Sequence, residues 1–240
     1  VASEINDFFS DKIGYVEAFS ILEDVRDFNW PDIAPAMNRL AKRNGTFEAF
    51  ILARTDGLYT RSDSAGNRAQ GGLITENNAN PSAKPLSIES RPYFKRLVTD
   101  NTANEKLLVV SDPNISKSTG EKQIVIATNV IDNRTDKTIG LLAVTVTGST
   151  LEKFLEKTTD DILASFGTDA WITIVSDTDA VISVKKYDAA TKAYAEQALS
   201  QAKEFGFEAL PPDLVEAIKK DRENPGKIQS FHDSKDRGET

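Results

Sequence analysis

The chain has 240 residues, 39% of them hydrophobic and 28% charged, a balance that fits a folded globular protein with room for two domains and excludes a disordered one. Its formal net charge is −8, with 37 Asp and Glu against 29 Lys and Arg, and no basic cluster stands out to suit nucleic acid. There are no cysteines, which excludes disulfides, thiolate metal sites and a cysteine nucleophile, and no apolar run approaches the roughly 20 residues needed to span a bilayer.

Val1 stands where Met would open a complete chain, so this is expected to be a piece of a longer protein whose signal or membrane segments lie elsewhere. From Ala2 to Phe28 apolar residues recur at helical spacing: Ile5, Phe8, Phe9, Ile13, Val16, Phe19, Leu22, Val25 and Phe28. That pattern predicts one long amphipathic helix with a single apolar stripe. It suits either a helix packed on its own domain or a stalk that pairs with a second copy. Trp30-Pro31 breaks it, and a second helix is expected from about Asp32 to Asn44, with Gly45 at the C-terminal cap. Thr46–Ala53 and Leu58–Ser62 flank Thr55-Asp56-Gly57, the signature of a β-hairpin.

Arg61 to Glu89 reads as a long loop rich in Gly, Pro and Asn, and loops of that length tend to carry function. It delivers the chain to Ser90, an N-cap for a short helix opening at Arg91-Pro92. Three strands are then predicted, Leu107–Asp112, Lys122–Ile131 and Thr138–Thr147, each rich in Val, Ile and Leu and closed by turn residues. Ser149 or Thr150 starts a further helix to about Ala164.

Asp169–Ser183 then echoes Thr46–Thr60: an apolar strand, a Thr-Asp-(Gly/Ala) turn, a second strand. Helices at about Asp188–Glu204 and Pro212–Asn224 and a strand at Lys227–Phe231 complete the expected second unit, which ends one turn later and looks unfinished. The fold class is thus α/β in the α+β sense, with antiparallel sheets. The boundaries are a stalk and second helix at 1–45, a first unit at 46–166 and a partial second unit at 167–240.

Catalytic signatures are absent. No GxSxG, HExxH, Walker or GxGxxG pattern occurs, and the single histidine, His232, lies in a polar segment. Asp112-Pro-Asn114-Ile-Ser116-Lys-Ser118 spaces oxygen donors like a calcium loop, but Lys117 stands at the tight-turn glycine and no Glu fills the twelfth position. Asp177 and Asp179 read as turn residues. An arginine at a helix start, with aromatics at Tyr93 and Phe94, can hold a small carboxylate by a guanidinium fork and free helical N–H groups. By residue type alone, Arg91 serves equally as a surface ion-pair residue and the two aromatics as core.

Ser90-Arg-Pro-Tyr-Phe94, Val110-Ser-Asp-Pro113 ahead of Ser118-Thr-Gly120, Ile124–Val130 and Gly140–Val146 together resemble the Cache superfamily of extracytoplasmic sensors. With the long first helix and the second hairpin, the order is similar to that of double Cache domains, two PAS-like units on one stalk helix. The resemblance implies that the first unit is membrane-distal and binds a small molecule. It implies no enzyme, cofactor or metal in this piece. It also implies a homodimeric full-length receptor of the inner membrane with this domain in the periplasm, most often a methyl-accepting chemotaxis protein and otherwise a histidine kinase or diguanylate cyclase. Amino-acid-binding members hold the ligand carboxylate with Arg-x-Trp-Tyr, matched here by Arg91, Tyr93 and Phe94. Asp112 matches one of their acidic residues for the amino group, the other falls near Thr145, and a family tyrosine five residues before the arginine is Leu86. The implied ligand-binding set is Arg91, Tyr93, Phe94, Asp112, Thr145 and Tyr59, for an amino acid or a small organic acid.

Overall fold

A computed structural model of the chain describes residues 2–45, 47–63, 73–74, 83–151, 153, 170–175, 181–188, 193–195 and 220. Helices and antiparallel sheets make an α+β architecture, and the chain divides into two compact units, Val1–Gly167 and Thr168–Thr240.

The sheet of the first unit is built from β1 (Ala49–Arg54), β2 (Tyr59–Asp63), β3 (Leu108–Val110), β4 (Asn114–Ile115), β5 (Lys122–Ile131) and β6 (Thr138–Thr147). Their order is β2-β1-β6-β5-β3, with β4 also on β5. The ranges expected for β5 and β6 are those found. Both strands are buried along almost their whole length, as strands covered on two faces must be. The strand expected at Leu107–Asp112 is found shortened, as β3, and β4 beyond it was not expected. Ser111 donates its N–H to the Val125 carbonyl at 2.8 Å, and its Oγ accepts the Val125 N–H at 2.9 Å. Pro113 has no N–H to continue the ladder, so β4 resumes only at Asn114.

Three helices cover the outer face, where Phe50, Leu52, Ile124, Ile126, Leu142, Val144 and Val146 are buried. In α1 (Ala2–Ser20) Val16 is fully buried, and the Phe19 ring meets Phe50 at 5.4 Å, which in turn meets Phe47 at 5.2 Å. The one long helix expected to Phe28 does not form. It stops at Ser20 and restarts as α2 (Glu23–Arg26), with Leu22 extended at ψ 142. Ser20 turns its hydroxyl back onto the Glu17 carbonyl at 2.8 Å, and Lys106 Nζ donates to Ser20 Oγ at 2.9 Å, a contact that periodicity cannot foresee. The break leaves Ile21 and Leu22 exposed while Val25 is buried. Next, α3 (Trp30–Asn44) begins at Trp30 with Pro31 in its first turn and ends at Gly45, left-handed at φ 65, as expected.

The β1–β2 turn closes as an Asx turn, Leu58 donating its N–H to Asp56 Oδ1 at 3.0 Å. Gly57 sits there at φ +74, where a Cβ would fall 2.5 Å from Ser87 Oγ, so the turn requires glycine. That approach docks the returning loop: Ile88 donates its N–H to the Gly57 carbonyl, and Ile74 to that of Tyr59.

The second unit contains a three-stranded antiparallel sheet of β7 (Ala170–Val175), β8 (Val181–Asp188) and β9 (Ala193–Ala195). The hairpin echo is present as β7 and β8. The helix expected from about Asp188 is corrected at β9, where Tyr194 is in register with Tyr187: strand pairing overrides the helix propensity of an Ala-rich stretch. Lys220 is helical. The remainder of the expected helix at Pro212–Asn224, the strand at Lys227–Phe231, the Asp177 and Asp179 turn and His232 lie outside the described residues. Among the described residues, no helix is long and apolar enough to cross a membrane.

Candidate functional site

Strand alternation assigns the inner face of the first sheet. Tyr59 and Arg61 on β2 stand opposite Ala53 and Ile51 of β1. Ile51 and Ala49 stand opposite Ala143 and Thr145 of β6, which face Ala127 and Val125 of β5, with Gln123 opposite Thr147. This face has two halves. Ile51, Ala53, Tyr59, Val109, Val125, Ala127, Leu141 and Ala143 form an apolar half. The other half is polar though buried: Arg61, Thr145, Thr147 and Gln123 are each less than a tenth exposed.

The roof comes from two segments. One is Ile88–Thr99, in which Arg91 caps α4 (Pro92–Phe94), followed by a π-helical turn over Lys95–Thr99. Tyr93 and Phe94 point inward, 4% and 0% exposed, with Phe94 and Leu97 in the apolar cluster. With only three residues, α4 offers position rather than the helix dipole expected for anion binding. The other segment is the β4–β5 turn, which folds back over the inner face. Ser118 Oγ accepts from Arg61 Nη1 at 3.2 Å, although β1 and β6 stand between the strands that carry them.

Arg91 is 8% exposed and donates through Nη2 to the Ile115 carbonyl on β4. Lys117 closes the rim, its Nζ donating to the Ser87 carbonyl at 2.7 Å and Ser90 Oγ at 3.3 Å. Burial first, and then the Arg91 charge, pull the Lys117 ammonium below its usual range. The Tyr93 phenol is pushed well above its ordinary value, chiefly by burial and further by Tyr59, while Arg91 and Arg61 oppose the shift. Tyr93 therefore stays protonated at neutral pH, a hydrogen-bond donor between two arginines.

Arg61 is the most enclosed charge of the set, its side chain 1% exposed. Its Nη2 lies 2.6 Å from Glu48 Oε1, an ion pair without hydrogen-bond alignment, and its Nε has no partner. Glu48 Oε2 accepts from Thr145 Oγ1 at 3.4 Å. Asn114 Nδ2 donates to Ser111 Oγ and the Asp112 carbonyl, so Asn114 Oδ1 must accept from Gln123 Nε2. That leaves Gln123 Oε1 buried without a donor.

Of the residues expected from sequence, the fold brings together Arg91, Tyr93 and Tyr59, and sets Thr145 on the same inner face. Phe94 is core. Asp112 sits in the exposed turn between β3 and β4. Arg61, Glu48, Gln123 and the Ser116–Ser118 turn were missed. The available signal was period-two alternation: Tyr59-x-Arg61 places a charge on the same strand face as a core tyrosine.

No family model and no curated protein sequence matches the chain. Solved structures do. The ligand-binding domain of the Campylobacter jejuni chemoreceptor Tlp3 in complex with L-valine aligns over 91% of this chain and 74% of its own, at 12% identity and a TM-score of 0.56. That of the Pseudomonas fluorescens chemoreceptor CtaA in complex with L-serine aligns over 75% of this chain and 66% of its own, at 18% identity and a TM-score of 0.51. The chain thus spans just under two thirds of the CtaA domain. At these identities the likeness is one of fold.

Proposed function

We propose that this chain is the extracytoplasmic ligand-sensing domain of a bacterial chemoreceptor, which takes a small molecule such as an amino acid by its carboxylate. The observation that carries the reading is Arg91, nearly buried beside a protonated, buried Tyr93, roofing the polar half of the inner face. A guanidinium fork and a phenol O–H are complementary to a carboxylate, and charge-assisted hydrogen bonds there supply most of the affinity of a small ligand. Asp112, at the exposed turn between β3 and β4, is the carboxylate proposed to face an amino group. Serine and valine are the ligands of the two aligned domains, which supports an amino acid here.

The domain senses rather than catalyses. Occupancy favours one arrangement of sheet and helices over another, by no more than the ligand's differential affinity for the two. Dimerisation and anchoring in the inner membrane, through segments outside this chain, belong to the same proposal. The test is a thermal-shift screen of the chain against amino acids, amines and small mono- and dicarboxylates. A ligand at 100 times its Kd adds about 2.7 kcal/mol of stability, several degrees of midpoint. A screen in which no carboxylate or amino acid shifts the midpoint overturns the reading.

A further inference from the structure

Resting on the reading of Arg91 as a carboxylate site, we infer that the ligand is a small dianion, a dicarboxylate with or without an amino group, whose second anionic group is received by Arg61. Arg61 is 1% exposed and makes one aligned side-chain hydrogen bond, from Nη1 to Ser118 Oγ. Nε has no partner, and Nη2 meets Glu48 without hydrogen-bond alignment. A buried guanidinium with idle donors is an uncommon arrangement, because each N–H has given up water without replacement. A ligand carboxylate on the Nε–Nη2 edge is the bidentate pairing that this edge is shaped for.

Among the described residues Arg61, Arg91 and Lys117 lie along the site, and the carboxylate that reaches Arg61 is Glu48. A monoanion on Arg91 leaves the Nε–Nη2 edge of Arg61 as it is, while a dianion reaches both guanidinium groups. Glu48 occupies part of the place proposed for the second carboxylate and can yield it: its side chain is 19% exposed, and its Thr145 contact is long at 3.4 Å. The two arginines are close enough for one small molecule. Arg91 holds the Ile115 carbonyl at the end of β4, Arg61 holds Ser118 in the turn that follows, and both charges act on the Tyr93 phenol. The idle Gln123 Oε1 on the same face would be answered by a hydroxyl or ammonium on the ligand chain.

The experiment is calorimetry of the whole chain with succinate against butyrate and with aspartate against alanine. The dianion of each pair should bind at least about tenfold tighter. In the double variant Arg61→Gln/Glu48→Gln, which removes the ion pair without stranding one partner, that ratio should fall to within about threefold. Glu48→Gln alone leaves Arg61 in place and decides the matter whether or not the double variant folds. It should raise the ratio, since the competing carboxylate is gone. Equal affinity within each pair, a ratio that survives in the folded double variant, or a Glu48→Gln variant that weakens aspartate and alanine alike overturns the inference, the last by making Glu48 an ammonium acceptor. Any of these leaves the sensor reading standing. Binding by no carboxylate or amino acid removes both.

Discussion

The α-carbon of Gly140 lies against the carbonyl oxygen of Ala53: a Cβ on Gly140 would fall 2.1 Å from that oxygen and 2.8 Å from Cζ of Phe28. Gly140 is in register with Arg54 at the start of β6, so this approach sets how closely the strand lies against β1 and how closely the helical layer lies against both. Gly140→Ala must push two strands or the Phe28 ring aside, at a cost of about 3 kcal/mol. Gly148→Ala, whose Cβ would meet nothing nearer than 3.6 Å, should stay within about 0.5 kcal/mol. Urea unfolding of the two variants measures the difference.

Asn129 should prove the most costly polar side chain to truncate. It is fully buried, accepts the Leu107 N–H at 2.8 Å, and donates to the Glu105 carbonyl at 2.9 Å and Thr138 Oγ1 at 3.0 Å. These bonds tie the segment leading into β3 to the central strands. Asn129→Ala strands the half-buried Leu107 N–H, while the Glu105 carbonyl keeps the Asn101 amide at 2.8 Å, and should cost about 1–3 kcal/mol, read from the denaturation midpoint. A loss below about 0.5 kcal/mol would mean that water replaces all three bonds.

Arg91→Ala should weaken the best hit of the screen by about 2–5 kcal/mol, roughly 30-fold to several thousandfold, because it removes the charged half of the carboxylate contact. The comparison needs a control for folding, since Arg91 also donates to the Ile115 carbonyl. Unchanged affinity in a folded variant would move the site elsewhere. Asp112→Asn separates ligand classes: amines and amino acids should lose affinity while simple carboxylates keep it. Calorimetry that shows both classes unaffected takes Asp112 out of the site.

Lys106 links pH to stability at the helix break. It donates to Ser20 Oγ and to the Asn129 carbonyl, and its pKa falls from 10.5 to about 8, first through burial and then through Arg26, against a smaller pull from Glu17. Between these two values the unfolded chain binds a proton that the folded chain does not. Stability contributed by this group therefore rises with pH from about 8 towards 10.5, and its penalty is complete below about 8. The side chain is partly exposed, so screening reduces the effect to the order of 1 kcal/mol. Subtracting the stability–pH curve of Lys106→Gln from that of the parent isolates it. A flat difference would place the ammonium in water.

Local patterning determined much of this protein. Continuous apolar runs bounded by turn residues fixed β5 and β6, Thr55-Asp56-Gly57 fixed the first hairpin, and Gly45 fixed the end of α3, because each depends on neighbours within a few residues. Arg91 and Tyr93 were legible as a candidate site because they lie two apart in one motif. What the sequence could not carry are the contacts made across long loops. Whether Arg61 is a solvated strand residue or an enclosed charge depends on Ser118, 57 residues away, folding over it, and on Glu48, just ahead of the neighbouring strand β1, pairing with it. The break after Ser20 depends on Lys106, 86 residues on, and β9 depends on a partner strand whose pairing outweighs helix propensity. A buried charge or a broken helix is settled by desolvation and by the partners the tertiary fold delivers, and neither quantity is a property of the local chain.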